Sequence, residues 1–260
     1  RELIVEALVE ALSPESIILR NDSPMLAAEG IEEEVTVLYG SNPGAFVVEA
    51  PTVEGGVKFE IDLLDGQKTG LYLDQLDAHR EIAKLAKGKR VLDCFCNQGG
   101  FALACAKAGA ASVTAVDSSG PAIEATLRNA ELNGVEINAV KHNAFDYLKH
   151  CEDQYDIVIL DPPSFTKNKK SLNNAMRGYK EIHLRGIKLL DRDGVLATYC
   201  CSHHASRQMF LDNIVTASVD AKRTLRLVAS HGQRLDHPVI PAIPETEYLK
   251  GFVLELMPSR

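Results

Sequence analysis

The stretch RVLDCFCNQGGFALACAKAGAASVTAVD, from Arg90 to Asp117, decides the fold. It opens with a short apolar strand, RVLDCF, and passes through a turn into a helix, GGFALACAKAG. A second strand, SVTAVD, follows directly. Strands and helices that alternate at these lengths form βαβ units, whose strands lie parallel in one sheet. The stretch therefore predicts an α/β fold.

The same alternation continues to the end of the chain. The helix SGPAIEATLRNAELNG leads to INAVKHN and then to YDIVILDPP, and the helix YKEIHLRGIKLL leads to GVLATYCC and the final strand YLKGFVLELM. YDIVIL and VLATYC are apolar nearly throughout, as buried parallel strands are. The pattern predicts a parallel sheet with helices on both faces.

Residues 1–66 have a different sequence pattern. An amphipathic helix, RELIVEALVEAL, precedes four strand-like runs, SIILR, EVTVLYG, AFVVEAP and VKFEIDLL, which Gly, Pro, Asn and Asp separate. We expect a small β-rich α+β unit over residues 1–66 and the main domain over residues 67–260. Because the chain opens at Arg1 within a helix, we also expect that a preceding part of the protein is missing.

The composition excludes several classes of protein. No run of apolar residues is long enough to cross a bilayer, and no signal-peptide pattern is present. The six cysteines do not form a disulfide framework, so we expect reduced thiols and a cytoplasmic location. A formal net charge of -8 argues against broad, nonspecific binding of nucleic acid, although the basic run TKNKK leaves a local groove open.

Two acids are expected at the carboxyl ends of the first two parallel strands, where ligands of such sheets bind. The turn after Asp93 lacks the G-x-G-x-x-G pattern of dinucleotide sites, and an acid there suits a cationic group better than a phosphate. Asp117 is placed to accept hydrogen bonds from ribose hydroxyls. Together they favour an adenosyl cofactor with a cationic end, such as S-adenosylmethionine.

Asn143 follows the third parallel strand in KHNAFDYL. Its side-chain oxygen is suited to accept from an adenine amino group, with Ala144 and Phe145 beside the ring. Asn is also a favourable residue at the N-cap of a helix. Both interpretations stay open at this point.

Several motifs taken together resemble a known family. VLDCFCNQGGFAL, AVDSS, DPPSF, CSHHAS and the upstream GQKTGLYLDQ are similar to motifs of the class I S-adenosylmethionine-dependent methyltransferases that act on large-subunit ribosomal RNA, in particular the cytosine-C5 enzymes. The resemblance implies a Rossmann-like class I methyltransferase sheet, a preceding RNA-binding domain, and a segment from Gln67 to Tyr72 that closes over the methionine end of the cofactor. The cofactor-binding residues expected on these grounds are Gln67, Lys68, Thr69, Tyr72, Asp93, Phe95, Gly99, Asp117, Ser118, Asn143 and Ala144.

The motif DPPSF follows the strand YDIVIL, so Asp161 is expected at the carboxyl edge of the sheet. Two prolines stiffen the turn, which favours a shaped pocket for a flat base over a helix cap. Stacking of a base on an aromatic ring contributes about 1–3 kcal/mol, and Phe165 is available for it. The expected substrate-binding residues are Pro162, Pro163, Phe165 and Lys167.

A pyrimidine C5 atom becomes nucleophilic enough to accept a methyl group only after a thiolate adds at C6. Adjacent strand residues point to opposite faces, so only one of Cys200 and Cys201 can enter the site. The motif CS followed by a helix, as the family has it, selects Cys201, with Asp161 as its catalytic partner. The alternative is that both cysteines are small core residues. Ser164 occupies the position where many RNA cytosine-C5 methyltransferases carry a second cysteine.

The run CCSHH does not have the spacing of a zinc site, and no metal is expected. His203 and His204 are expected to begin the next helix. The leading hypothesis is methylation of cytosine C5 in large-subunit ribosomal RNA through a Cys201 adduct, without membrane association. Direct methylation of an adenine or guanine nitrogen and a non-catalytic, cofactor-binding RNA module are the alternatives. The sequence leaves a homodimer open.

Overall fold

The structure is a computed structural model that describes residues 1–22, 26–64, 70–166 and 169–258. The chain divides into two compact units. The first comprises Arg1–Val48 and Phe59–Tyr72, and the second comprises Glu49–Lys58 and Leu73–Arg260. The expected boundary between residues 66 and 67 falls outside the described residues and stays a prediction.

The N-terminal part is β-rich, as the sequence predicts. Helix α1 (Glu2–Leu12) precedes strands β1 (Ser16–Asn21) and β2 (Glu34–Gly40), which pair antiparallel. Strands β3 (Ala45–Ala50) and β4 (Val57–Asp62) form a second two-stranded sheet. All four strands coincide with the four apolar runs of the sequence.

The second unit is built on a seven-stranded sheet with the strand order β10-β11-β9-β8-β5-β6-β7. Its strands are β5 (Arg90–Cys94), β6 (Ser112–Asp117), β7 (Asn138–Lys141), β8 (Tyr155–Leu160), β9 (Leu190–Cys200), β10 (Leu225–His231) and β11 (Lys250–Leu256). The pairs β5–β6, β6–β7, β5–β8 and β8–β9 are parallel. The strand order reverses at β5, which is therefore the switch point where ligands of such sheets bind.

Helices cover both faces of this sheet, and a hydrophobic core lies on each face. The helices are α2 (Leu76–Ala83), α3 (Gly100–Lys107), α4 (Gly120–Asn133), α5 (Ala144–His150), α6 (Leu172–Lys188) and α7 (Arg207–Asp220). Leu148, Tyr179 and Phe210 belong to the core beneath α5, α6 and α7. Ile82 and Phe101 belong to the core beneath α2 and α3. The predicted α/β fold is confirmed.

The expectation of a wholly parallel sheet is wrong at one edge. Strand β11 pairs antiparallel with both β9 and β10. The chain leaves β9 through α7 and enters β10, which leaves a gap of one strand position between β9 and β10. The loop 232–249 then returns it into the gap from the carboxyl edge, so β11 must run in the opposite direction. Strand β10, LRLVASH, is not among the strands predicted from the sequence.

Two helices also differ from expectation. Helix α2 was not predicted, and α6 begins at Leu172 and not at Tyr179. The first turns of α6 are rich in Asn and Gly, which are poor helix formers, so the pattern there is weak. Within the described ranges, no helix is long and apolar enough to span a membrane.

Candidate active site

Three carboxylates meet at the carboxyl edge of the central strands. Asp93 and Asp117 lie at the ends of the neighbouring strands β5 and β6, and Asp161 directly follows β8. Because β5 pairs in parallel with both β6 and β8, the carboxyl ends of these three strands meet at one edge of the sheet. The expected convergence at the switch point is therefore observed.

Asp93 is the most deeply placed of these acids. Its side chain is 1% exposed, and its Oδ2 atom accepts a hydrogen bond from the backbone N–H of Ala102 at 3.0 Å. Its Oδ1 atom is buried and has no hydrogen-bond donor among the described residues. Burial raises the pKa of Asp93 well above its ordinary value, and the two neighbouring acids raise it further. A bound cation would relieve this unfavourable environment.

The turn after β5 is held in an unusual backbone conformation. Phe95, Asn97 and Gly99 have φ angles of 66°, 49° and 83°, in the left-handed region. Asn97 donates its backbone N–H to Asp117 Oδ2 at 3.0 Å, and its carbonyl accepts from the hydroxyl of Thr126 at 2.8 Å. These contacts fix the turn directly above the end of β5.

The two glycines of this turn accommodate protein side chains. A Cβ atom on Gly99 would lie 2.9 Å from Cγ2 of Thr126, and one on Gly100 would lie 2.5 Å from Cε1 of His79. The sequence predicts Gly99 as a cofactor-binding residue. The contacts with Thr126 and His79 occupy the space beside each Cα atom, and a contact of Gly99 with the cofactor stays a prediction.

The residues expected around the adenosine take varied positions. Asp117 Oδ1 accepts from the backbone N–H of Ser119 at 2.9 Å, while Ser118 is exposed. Asn143 is the N-cap of α5, and its Oδ1 accepts from the backbone N–H groups of Phe145 and Asp146. The capping interpretation of Asn143 is thus confirmed, and its contact with adenine stays a prediction. The neighbouring Ala144 is buried.

The DPPSF turn lies next to the end of β9, as expected from the parallel pairing of β8 with β9. Pro162 is buried and Pro163 is exposed. Phe165 is half-buried, and its ring lies 4.6 Å from the ring of Tyr179 and 5.6 Å from that of Phe145. Phe165 therefore packs within an aromatic cluster, and its stacking on a base stays a prediction.

The two adjacent cysteines point to opposite faces of the sheet. Cys200 is fully buried in the core beneath α6, whereas Cys201 is half-buried and packs against the core on the other face. His203 and His204 do not begin the next helix. That helix starts at Arg207, because the hydroxyl of Ser206 accepts from the N–H of Met209 and caps it.

Polar side chains surround the turn that carries Cys201. The hydroxyl of Ser202 bonds with that of Thr166, which links this turn to the end of the DPPSF loop. Lys250 is 3% exposed and donates from Nζ to the carbonyl of Ser202. Tyr248 packs on the same core as Cys201.

One connection joins this turn to the acids. The hydroxyl of Tyr248 donates to Asp74 Oδ2 at 2.7 Å, and the next residue, Gln75, donates from Nε2 to Asp161 Oδ2 at 2.8 Å. The sequence analysis singled out none of these three side chains. LDQ and YLKGF lie within the quoted stretches GQKTGLYLDQ and YLKGFVLELM, but neither short run carries a signal of its own.

Four expected site residues, Gln67, Lys68, Thr69 and Lys167, lie outside the described residues. Tyr72 ends the first unit and is half-buried. Among the described residues, no group of three or more His, Cys, Asp or Glu side chains is arranged to hold a metal ion.

A sequence profile of the S-adenosylmethionine-dependent methyltransferases matches residues 43–248. The chain belongs to this family. The cofactor of the family has a sulfonium and an ammonium group. These fit the buried Oδ1 of Asp93, which has no donor within the described part of the chain, because a cation there would neutralise the repulsion among the three acids.

Curated relatives carry a more specific name. The chain is 41% identical to a ribosomal RNA large subunit methyltransferase I of Aeromonas hydrophila, over 98% of the chain and 65% of the relative. It is also 41% identical to a protein of the same name from Vibrio vulnificus, over 99% of the chain and 66% of the relative. The chain thus spans just under two thirds of the length of these relatives.

Solved structures agree on the fold. A candidate SAM-dependent methyltransferase from Streptococcus mutans matches with a TM-score of 0.74 and 26% identity, over 85% of this chain and 58% of that chain. Trm5b from Pyrococcus abyssi matches with a TM-score of 0.68 over 96% of this chain and 67% of that chain. At 17% identity, the second likeness concerns the fold alone.

Proposed function

We propose that this chain transfers a methyl group from S-adenosylmethionine to C5 of a cytosine in large-subunit ribosomal RNA. The observation that carries the proposal is the position of Cys201 and Asp161 after the neighbouring parallel strands β9 and β8. Relatives about 40% identical to the chain are named ribosomal RNA large subunit methyltransferase I, which supports the same substrate class.

We assign the cofactor to the edge of the sheet at β5 and β6. Asp93 would hold its cationic end, because Asp93 Oδ1 is a buried acceptor without a donor among the described residues. Asp117 would accept from the ribose hydroxyls, and Phe95, Gly99, Ser118, Asn143 and Ala144 would line the adenosine. The cofactor-binding roles expected of Gln67, Lys68, Thr69 and Tyr72 stay predictions. When bound, S-adenosylmethionine supplies an electrophilic methyl group.

The protein then has to make C5 of the pyrimidine nucleophilic. In the proposed reaction the thiolate of Cys201 bonds to C6, and the electron pair of the C5–C6 double bond becomes available at C5. After methylation, loss of the C5 proton restores that double bond and expels the sulfur. This covalent route divides one difficult step into easier ones.

Cys201 is better suited to this role than Cys200. A nucleophilic thiol must reach the base, and Cys201 is half-buried, whereas Cys200 is fully buried beneath α6. The bond between Ser202 and Thr166 ties the turn of Cys201 to the DPPSF loop. We assign base binding to this loop, with Pro162, Pro163, Phe165 and Lys167 as the contributing residues and Asp161 holding the pyrimidine edge.

Two further expectations follow from the proposed substrate. Because ribosomal RNA is a cytoplasmic molecule and all six cysteines are free thiols, we propose a cytoplasmic location. A homodimer stays a prediction, which analytical ultracentrifugation of the chain would test.

The proposal is tested by identifying the methylated nucleoside. The chain is incubated with radiolabelled S-adenosylmethionine and an unmodified large-subunit ribosomal RNA transcript, and the RNA is digested for mass spectrometry. We expect 5-methylcytidine at one position. A purine methylated on nitrogen would replace the proposal with direct transfer, and a lack of label in a chain that binds the cofactor would indicate a non-catalytic module.

A further inference from the structure

Gln75 occupies a defined place beside the DPPSF turn. It ends the short helical turn Leu73–Gln75, immediately before α2, and its side chain is 7% exposed. Its Nε2 atom donates a hydrogen bond to Asp161 Oδ2 at 2.8 Å. A residue 86 positions away in sequence thereby holds the carboxylate of the turn in one orientation.

This bond also settles which end of the Gln75 amide faces Asp161. An ionised carboxylate only accepts hydrogen bonds, so the NH₂ end of the amide must point toward it. The other end, Oε1, is an acceptor, and it is buried without a donor among the described residues. A buried polar atom without a partner destabilises a fold, and such atoms are rare in native proteins. A donor supplied by a ligand would satisfy it.

We infer that Gln75 selects cytosine over uracil, by accepting, together with Asp161, hydrogen bonds from the exocyclic amine of the target base. This inference rests on the proposed function. The amine of cytosine carries two N–H bonds, which can satisfy two neighbouring acceptors. Uracil has an oxygen at that position and a single N–H group flanked by two oxygens, so it would leave one acceptor unpaired.

The position of Gln75 favours the base over the cofactor as the source of this donor. Its hydrogen bond is made to Asp161, in the turn assigned to the base. The cofactor has an acceptor of its own in Asp93 Oδ1, which also has no donor among the described residues. Sites built to hydrogen-bond a polar group reject analogues lacking it far more strongly than apolar pockets reject a wrong shape.

The test compares two transcripts of large-subunit ribosomal RNA that carry cytosine or uracil at the position where the wild-type chain places its methyl group. Gln75→Met keeps the length of the side chain and removes both hydrogen-bonding ends. We expect the variant to methylate the cytosine transcript at least 10-fold more slowly and its preference for cytosine over uracil to fall at least 10-fold. Gln208→Met is the matched control, because Gln208 also bonds an aspartate, Asp212, but on the exposed face of α7.

Each outcome is decisive. An unchanged cytosine-to-uracil ratio in folded Gln75→Met would overturn the inference. So would a 10-fold loss of S-adenosylhomocysteine affinity in calorimetry without a change in that ratio, which would assign Oε1 to the cofactor. If circular dichroism shows that Gln75→Met does not fold, Gln75→Ala takes its place in the same measurements and is judged by the same outcomes. Failure of the proposed function is distinguishable, because the wild-type chain itself would then form no 5-methylcytidine.

Discussion

Gly100 lies against the imidazole of His79 so closely that a Cβ atom on the glycine would stand 2.5 Å from Cε1 of the histidine. His79 is buried, and its ring stacks edge-on against Phe101 with the centroids 4.3 Å apart. Helix α2 therefore presses on the first residue of α3, directly after the turn that follows Asp93. The packing of α2 sets the position of that turn.

The Gly100–His79 contact predicts an energetic coupling. Gly100→Ala should destabilise the chain by about 1–3 kcal/mol, because the new methyl group overlaps a ring that is held in a packed core. The double variant with His79→Ala should lose less stability than the sum of the losses in the two single variants, by about 1 kcal/mol or more. Urea unfolding of the four chains measures this difference. Strict additivity would show that the two residues do not press on each other.

His183 should make stability depend on pH. Burial lowers its pKa to about 4, while the same residue in the unfolded chain titrates near 6.5. As the pH falls below 6.5, His183 therefore binds a proton in the unfolded state but not in the folded state, and the chain loses stability. From pH 7 to pH 5 this residue should cost about 2 kcal/mol.

The contribution of His183 is isolated by comparison with His183→Gln. The variant should be less stable at pH 7, because His183 bonds both Asn213 and Thr198, at 2.9 and 3.0 Å. Its disadvantage should shrink by about 2 kcal/mol at pH 5, in unfolding by urea at both pH values. A stability gap that is the same at both pH values would contradict the prediction.

Asp93→Asn should weaken cofactor binding at least 10-fold, which corresponds to about 1.4 kcal/mol. The amide keeps an acceptor for the N–H of Ala102 but removes the charge. In the wild-type chain the affinity should also rise with pH, because the pKa of Asp93 is raised in the free protein and only the ionised form attracts a cation. Calorimetry with S-adenosylmethionine and S-adenosylhomocysteine measures both effects. Asp153→Asn, at an exposed position, is the control.

Cys201 and Cys200 should behave differently toward RNA transcribed with 5-fluorocytosine, in which the fluorine replaces the C5 proton and prevents release of the sulfur. In the presence of S-adenosylmethionine, the wild-type chain and Cys200→Ala should form a protein–RNA adduct that survives denaturing electrophoresis. Cys201→Ala should form none while it keeps its affinity for S-adenosylhomocysteine. If Cys201→Ala still forms the adduct, or if only Cys200→Ala fails to form it, Cys200 and not Cys201 would be the nucleophile.

Local pattern was sufficient to predict much of this molecule. Apolar runs of five or six residues, interrupted by helical stretches, place β5, β6 and β8 correctly, because burial on both faces of a parallel sheet requires such runs. The acids at the ends of these strands could be expected to meet for the same reason. Parallel strands bring all their carboxyl ends to one edge of the sheet.

Other features could not be read locally. The reversed direction of β11 depends on which gap in the sheet the returning chain fills, and no single stretch records it. The glycines after Asp93 illustrate the same limit. Their close packing against His79 and Thr126 depends on partners more than 20 residues away in sequence, so only the folded structure shows it.

The sequence by itself predicted the class of fold and the meeting of Asp93, Asp117 and Asp161 at one edge of the sheet, because these depend on periodicity and strand order along the chain. Tertiary structure alone decided which cysteine is half-buried and which is enclosed, and it brought Gln75 to Asp161. Contacts between residues far apart in sequence arise from packing in three dimensions, and the one-dimensional pattern does not contain them.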